Sequence, residues 1–262
     1  MYKILFSIGS FQVHSYYVLW ASALSLAVVW IRKRAVGLYG LNDEFVRKCL
    51  IYGFLGMLLG ARIGGYLDNW GYYSAHPEMI LNLRKGGLSS TTAFLGAGIM
   101  GILYCFKHKI PIWRIADAAS LPAAATVVIG RIGCFLNGCC YGTVSDSFLA
   151  VHFPFDRIGI TRHPTQLYYS FGALCILLIL YLIEKKVFQP FQRKIEGAIL
   201  WPLFMILYGS LRFFVDFLRV GDRIYGLRTG QIVGFAVILG GMAWLSYTFR
   251  ILQYMHIRRR KY

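Results

Sequence analysis

Apolar residues in this chain come in seven long blocks, at about 12–31, 47–66, 91–106, 114–136, 165–183, 197–218 and 229–249. A helix needs roughly 20 mostly apolar residues to cross the hydrocarbon core of a bilayer, and the blocks are close to that length. The second, fourth and sixth carry charged residues, and the other four are plain spans. The pattern predicts an all-α fold, a polytopic integral membrane protein with seven transmembrane helices forming one membrane domain over 1–262.

Lysine and arginine set the expected orientation. Seventeen of them lie in the connections after the first, third, fifth and seventh blocks, and eight lie on the opposite side. Basic connections stay in the cytoplasm, so the N-terminus is expected outside and the C-terminus inside. The first apolar run follows Lys3, is long enough to span, and lacks a small-residue cleavage site. It is expected to remain as a helix rather than to leave as a secretory signal. Two outward connections are long, about 67–90 and about 137–164. The first carries Trp70, Tyr72, Tyr73 and His76. Such aromatic segments suit the membrane interface, and they place the working end of the molecule on the outer face.

Composition agrees with this picture. Hydrophobic residues make up 57% of the chain, mean hydropathy is +0.55, and only 15% of residues are charged. Soluble domains carry about 25% charged residues. A net charge of +17 would suggest nucleic acid in a soluble protein. Here the basic residues punctuate apolar blocks instead: Arg32, Lys33 and Arg34, then Lys107 and Lys109, then Lys185 and Lys186, then Arg258 to Lys261. No nucleic-acid partner is expected. The six cysteines mostly fall in apolar blocks, which argues against a disulfide framework. Cys134, Cys139 and Cys140 show no CxxC spacing and no histidine close in sequence. Neither a metal nor an organic cofactor is expected.

Small residues and buried charges carry the remaining information. Gly56, Gly60 and Gly64 recur every four residues, and Gly96 and Gly98 fall in the next block. Such spacing lets helix backbones approach closely in lipid. Charges inside a span are costly, at least about 2.5–3.5 kcal/mol each on insertion scales, and they mark function or pairing. Tyr208, Arg212, Asp216 and Arg219 fall within about 80° of one another on an ideal helix. Arg212 and Asp216 could form an i,i+4 ion pair. Arg131 sits in the run Gly130-Arg131-Ile132-Gly133-Cys134-Phe135-Leu136-Asn137-Gly138-Cys139-Cys140-Tyr141-Gly142, and Arg62 lies in Gly60-Ala61-Arg62-Ile63-Gly64-Gly65. Three arginines within spans, with one acid to pair them, leave excess positive charge. A phospholipid head group is the abundant anion that would balance it, a planar guanidinium being well shaped for phosphate. Structural ion pairing and a transporter remain open on these residues alone, although no repeat between halves supports a transporter. His163-Pro164-Thr165-Gln166 opens the fifth block and can cap its helix or line a pocket.

Taken in order, these motifs resemble the bacterial prolipoprotein diacylglyceryl transferases. The resemblance runs from Phe6-Ser7-Ile8-Gly9 and His14-Ser15-Tyr16 through Gly60-Ala61-Arg62-Ile63-Gly64 and Gly86-Gly87-Leu88-Ser89 to Gly130 to Gly138. It continues through Arg162-His163-Pro164-Thr165-Gln166-Leu167-Tyr168, Tyr208 to Arg219, and Gly230-Gln231-Ile232. It implies an enzyme of the bacterial plasma membrane working at the outer leaflet. Its reaction would move diacylglyceryl from phosphatidylglycerol to the lipobox cysteine of prolipoprotein signal peptides, releasing glycerol phosphate. It also implies that Arg131 and Arg212 hold the lipid phosphate and act in catalysis with Tyr16 and Asp216. Arg62, Asn137, Gly138, Tyr208, His163 and Gln166 would bind substrate. Where many members of that family carry histidine, this chain has Thr91. Cys134 and Cys139 stand where asparagine and glutamate are usual, and Asp216 stands where glutamate is. Asp216, His14, His163 or no side chain at all could then serve as base. A divergent lipid-binding relative is the alternative reading.

Overall fold

The structure, a computed structural model, describes residues 2–9, 11–81, 87, 89–154, 156, 159–188, 199–221, 223–224 and 226–260. Gly86 and Leu88 of one motif, and the basic residues Arg84, Lys85, Arg157, Arg193, Lys194 and Lys261, lie outside the described residues.

The chain opens with a hairpin of β1 (Ile4–Ile8) and β2 (Phe11–His14), followed by α1 (Ser15–Gly37), α2 (Asp43–Asp68) and α3 (Trp70–Ala75). A 3₁₀ turn at Pro77–Leu81 precedes α4 (Ser90–Lys107) and α5 (Ile112–Asn137). The short hairpin of β3 (Val151–His152) and β4 (Thr161–Arg162) leads into α6 (Thr165–Ile183), which ends in a π turn at Glu184–Phe188. Then come α7 (Leu200–Val215), a 3₁₀ turn at Asp216–Leu218, the hairpin of β5 (Arg223–Ile224) and β6 (Leu227–Arg228), and α8 (Thr229–Arg260). Among the described residues seven helices are long and apolar enough to cross a membrane, in the order expected. The fold is all-α and polytopic.

Helix ends depart from the apolar blocks for local reasons. Residues 11–14 do not start the first helix. They pair with residues 4–8 as an antiparallel strand, the turn helped by Gly9 at φ +58°. Helix α2 starts four residues before its apolar block because Asn42 caps it. The Asn42 side chain accepts hydrogen bonds from the Glu44 and Phe45 backbone N–H groups at 2.9 and 3.1 Å. Asp43 and Glu44 then face the positive end of the helix dipole. Helix α8 runs eleven residues past its apolar block, to Arg260, because hydropathy marks lipid-facing length and not helix length.

The chain divides into two compact units, residues 32–115 and residues 1–31 with 116–262. Within the first, α2 and α4 touch through their backbones. A Cβ added at Gly60 would collide with the Thr92 carbonyl, and one at Gly96 with the Gly56 carbonyl. The four-residue glycine spacing is therefore the α2–α4 contact, whereas Gly98 faces open space. Cys49, Tyr104 and Cys105 are buried beside this contact with Phe45, Ile112 and Ile115.

Within the second unit, Leu121, Ala124, Ile176, Leu180, Leu200 and Phe204 join α5, α6 and α7 in one apolar core. Helices α7 and α8 meet at Gly209 and Gly234, each leaving no room for a side chain against the other's carbonyl at 2.8 Å. Gly130 of α5 packs under the Trp20 ring of α1. The start of α7 has no cap of its own, since Ile199 stands at that position. The fully buried Asp117 of α5 supplies it, accepting from the Ile199 and Trp201 backbone N–H groups at 3.2 and 2.8 Å. Asp117→Ala strips two buried donors of their partner and is expected to cost about 1–3 kcal/mol. The thermal unfolding midpoint in detergent should fall accordingly, and Asp117→Asn, which keeps one acceptor oxygen, should fall less.

Candidate active site

Helix α5 ends in a Schellman turn. The Gly138 N–H donates to the Phe135 carbonyl at 3.0 Å and the Cys139 N–H to the Cys134 carbonyl at 3.1 Å, with Gly138 at φ +69°. This closure brings Cys139 back over Cys134. Cys140 then adopts φ +64°, a conformation that costs a non-glycine residue of order 1–3 kcal/mol. As a result the sulfurs of Cys134, Cys139 and Cys140 all lie within 4.8 Å of one another. The absence of CxxC spacing had argued against such a cluster; the turn replaces that spacing with another route to proximity. The Cys139 thiol donates to the Cys134 carbonyl at 3.6 Å, and Asn137 is the last residue of α5.

The first turns of α6 fix this loop. Gln166, fully buried, donates from Nε2 to the Cys139 carbonyl at 2.6 Å, and the Thr165 hydroxyl donates to the Cys140 carbonyl at 2.8 Å. The Oε1 of Gln166 meets no donor among the described residues. His163 turns instead to Tyr168, with Nδ1 3.2 Å from the Tyr168 hydroxyl. Arg162 donates to Asp156, and this hydrogen bond, with the Asp156 charge, pushes its pKa up. The Gly142 N–H donates to the His163 carbonyl at 2.8 Å and the Thr143 N–H to the Leu218 carbonyl at 2.7 Å, tying the 137–164 connection to the end of α7.

Asp216 sits at that end, 3% exposed. Its carboxylate accepts from the Tyr169 hydroxyl at 2.6 Å and faces the Arg219 guanidinium at 3.9 Å. Its backbone carbonyl takes a hydrogen bond from Arg228. Gly230, at the start of α8, leaves room for the carboxylate where any Cβ would collide with it. The expected Arg212–Asp216 ion pair does not form. The helix tightens to a 3₁₀ turn at Asp216, so the i,i+3 neighbour Arg219 comes to the carboxylate instead. The buried Nε of Arg212 meets no acceptor among the described residues.

Tyr169 joins the two halves of this arrangement. The Arg131 guanidinium lies over its ring, 4.3 Å from the centroid, while its hydroxyl also reaches the Arg212 carbonyl at 3.4 Å. Both guanidinium charges act on that hydroxyl. Arg131 is also within electrostatic reach of Tyr208, Cys134 and Cys140. Tyr208 stacks on Phe204 with ring centroids 5.5 Å apart. Tyr16 lies beside the three thiols and edge-on to Tyr17. Four arginines, Arg131, Arg212, Arg219 and Arg228, thus gather around the Tyr169–Asp216 pair, and of these Arg219 alone faces the carboxylate among the described residues. Of the residues expected in a site, Arg131, Arg212, Tyr16, Asp216, Asn137, Gly138, Tyr208 and Gln166 come together here, and His163 stands at the edge through Tyr168. Arg62 belongs to the other unit, where it donates to the Tyr66 hydroxyl at 2.6 Å and lies over that ring.

The sequence pattern of the family described as prolipoprotein diacylglyceryl transferase matches residues 3–247. The chain belongs to this family. The relative from Fervidobacterium nodosum, named phosphatidylglycerol–prolipoprotein diacylglyceryl transferase, is 32% identical over 251 residues, covering 93% of this chain and 84% of its own length. Relatives of the same name from Symbiobacterium thermophilum and Ehrlichia canis are 30% and 29% identical, covering 94% and 93% of this chain and 92% and 95% of their own lengths. Within this chain, Tyr169 and Arg228 stand in the candidate site although the sequence did not single them out. The signal for Tyr169 was present: Thr165, Gln166, Tyr169 and Ser170 are polar residues at helical spacing at the start of an otherwise apolar span, and all are buried.

Proposed function

We propose that this protein transfers the diacylglyceryl group of phosphatidylglycerol to the lipobox cysteine of prolipoproteins. The observation that carries the reading is the excess of guanidinium groups around the Tyr169–Asp216 pair, with the buried Nε of Arg212 meeting no acceptor among the described residues. A lipid phosphate supplies the missing negative charge. In the reaction the cysteine thiol gives up its proton to solvent and its sulfur attacks a glyceryl carbon. A C–S bond forms, the C–O bond to phosphate breaks, and its electron pair leaves on glycerol phosphate. Charge grows on the leaving phosphate oxygens, where Arg131 and Arg212 act as preorganised donors in a low-dielectric site. Tyr16, Asn137, Gly138, Tyr208 and Gln166 line the lipid and peptide sites, and Arg62 and His163 contribute to substrate binding. The asymmetry of lysine and arginine supports an outer N-terminus, so that the 67–90 and 137–164 connections and the site face the outer leaflet of the plasma membrane.

The test uses purified protein, phosphatidylglycerol labelled in its acyl chains, and lipobox peptides ending in cysteine or serine. Label is expected on the cysteine peptide alone, with one glycerol phosphate released per label. Lipid binding without label on any peptide would sink the reading. That outcome would favour a lipid-binding relative, for which Thr91 in place of histidine is the motivating residue.

A further inference from the structure

Thr91 cannot accept a proton from a thiol near neutral pH, yet an ordinary cysteine has a pKa near 8.5 and needs help to become a nucleophile. The candidate site holds a group that no step above uses, the three thiols of Cys134, Cys139 and Cys140. Their sulfurs lie within 4.8 Å of one another. Three sulfurs on one tetrahedral zinc ion, at about 2.3 Å from the metal, sit about 3.8 Å apart, so a small inward adjustment closes the site.

The cluster is built rather than incidental. The Schellman turn sets Cys139 on Cys134, a left-handed backbone at Cys140 adds the third thiol, and Gln166 and Thr165 pin the Cys139 and Cys140 carbonyls. All six cysteines are free thiols, so none of the three is committed to a disulfide. Soft sulfur donors select zinc over hard cations such as magnesium or calcium. Three thiolates around one zinc(II) ion carry a net charge of −1, which the guanidinium groups of Arg131 and Arg219 beside Cys140 favour. Three protein ligands also leave a fourth position open, as in catalytic rather than structural zinc sites.

We propose that Cys134, Cys139 and Cys140 bind one zinc(II) ion whose fourth position takes the acceptor cysteine of the prolipoprotein. The acceptor role rests on the transferase reading above. On joining the metal the acceptor thiol loses its proton to solvent, and the zinc-held sulfur remains nucleophilic at neutral pH. It attacks the glyceryl carbon as the bond to the phosphate oxygen breaks, and that oxygen leaves with the electron pair beside Arg131. The zinc keeps its oxidation state, and the neutral thioether, a weak ligand, dissociates.

Full-length protein in detergent, stripped of metal with a chelator, is titrated with cobalt(II) and then zinc(II). A thiolate-to-cobalt charge-transfer band is expected, saturating at about one ion per chain and displaced by zinc. Cys134→Ser, Cys139→Ser and Cys140→Ser should each weaken binding at least about tenfold, with Cys175→Ser unchanged. The cysteine lipobox peptide should shift the band, and the serine peptide should not. No band in the wild-type chain overturns the proposal, whatever the serine variants do to folding. Transfer undiminished by chelation overturns it too and leaves the transferase standing. A cobalt band with no transfer to any peptide removes the acceptor role together with the transferase reading.

Discussion

Arg131→Ala is expected to lower diacylglyceryl transfer by about 10²–10³-fold, the usual cost of removing one preorganised donor from developing negative charge. The structure gives reasons to expect an effect on chemistry rather than on folding. Arg131 makes no ion pair among the described residues; its guanidinium carbon lies over the Tyr169 ring, 4.3 Å from the centroid. A cation–π contact of this kind leaves the N–H donors available to a ligand, and a lysine lacks the planar fork of donors that suits a phosphate. Arg131→Lys should therefore recover little of the lost rate while retaining charge and fold. Kinetics separate two ways the guanidinium could act. If it meets charge that grows as the phosphate leaves, kcat falls with KM little changed. If it only anchors the ground-state phosphate, KM for phosphatidylglycerol rises and kcat holds. Wild-type turnover in Arg131→Ala would remove the residue from the mechanism.

The reasons some of this was legible in the sequence, and some not, are physical. Spans are set by a long-range requirement, enough apolar length to cross lipid, and seven blocks met it in the right order. Close helix contact in lipid demands small residues at a fixed period, so Gly56, Gly60 and Gly64 announced the α2–α4 contact before any coordinates. The Gly209–Gly234 contact passed unnoticed, although Gly230 and Gly234 stand four residues apart at the start of α8. Arg131, Arg212 and Asp216 stood out because charge in a span needs a reason. Their partners did not follow, since ideal helical geometry offered Arg212 to Asp216 while the 3₁₀ turn that starts at Asp216 brings Arg219 to the carboxylate. The thiol cluster was hidden in the same way. Its spacing fits no metal motif, and only the helix-terminating turn, with a left-handed cysteine after it, makes three separated sulfurs neighbours. Tertiary partners such as Tyr169 and Arg228 depend on which helices meet, and that is not written in any one segment.

Asp216→Ala is expected to be the most damaging single change in the chain, costing about 3–5 kcal/mol of stability and abolishing transfer. At 3% exposure the carboxylate is the counter-charge within a group of guanidiniums, and it is the acceptor for the Tyr169 hydroxyl at 2.6 Å. Deleting it leaves Arg219 without its neutralising partner and frees the tyrosine under Arg131, while the backbone carbonyl that Arg228 bonds remains. Charge and packing can be told apart, because the carboxylate is seated against Gly230 with no space for a Cβ between them. Asp216→Asn keeps the volume and an acceptor for Tyr169 but removes the charge. If neutralisation of the arginines is the larger effect, Asn should lose nearly as much unfolding midpoint as Ala, and Gly230→Ala should lose less. If shape dominates, Asn should stay near wild type while Gly230→Ala, which drives the carboxylate out of its seat, approaches Asp216→Ala. The desolvated guanidiniums favour the first outcome, since an uncompensated buried charge costs more than a displaced methyl-sized volume.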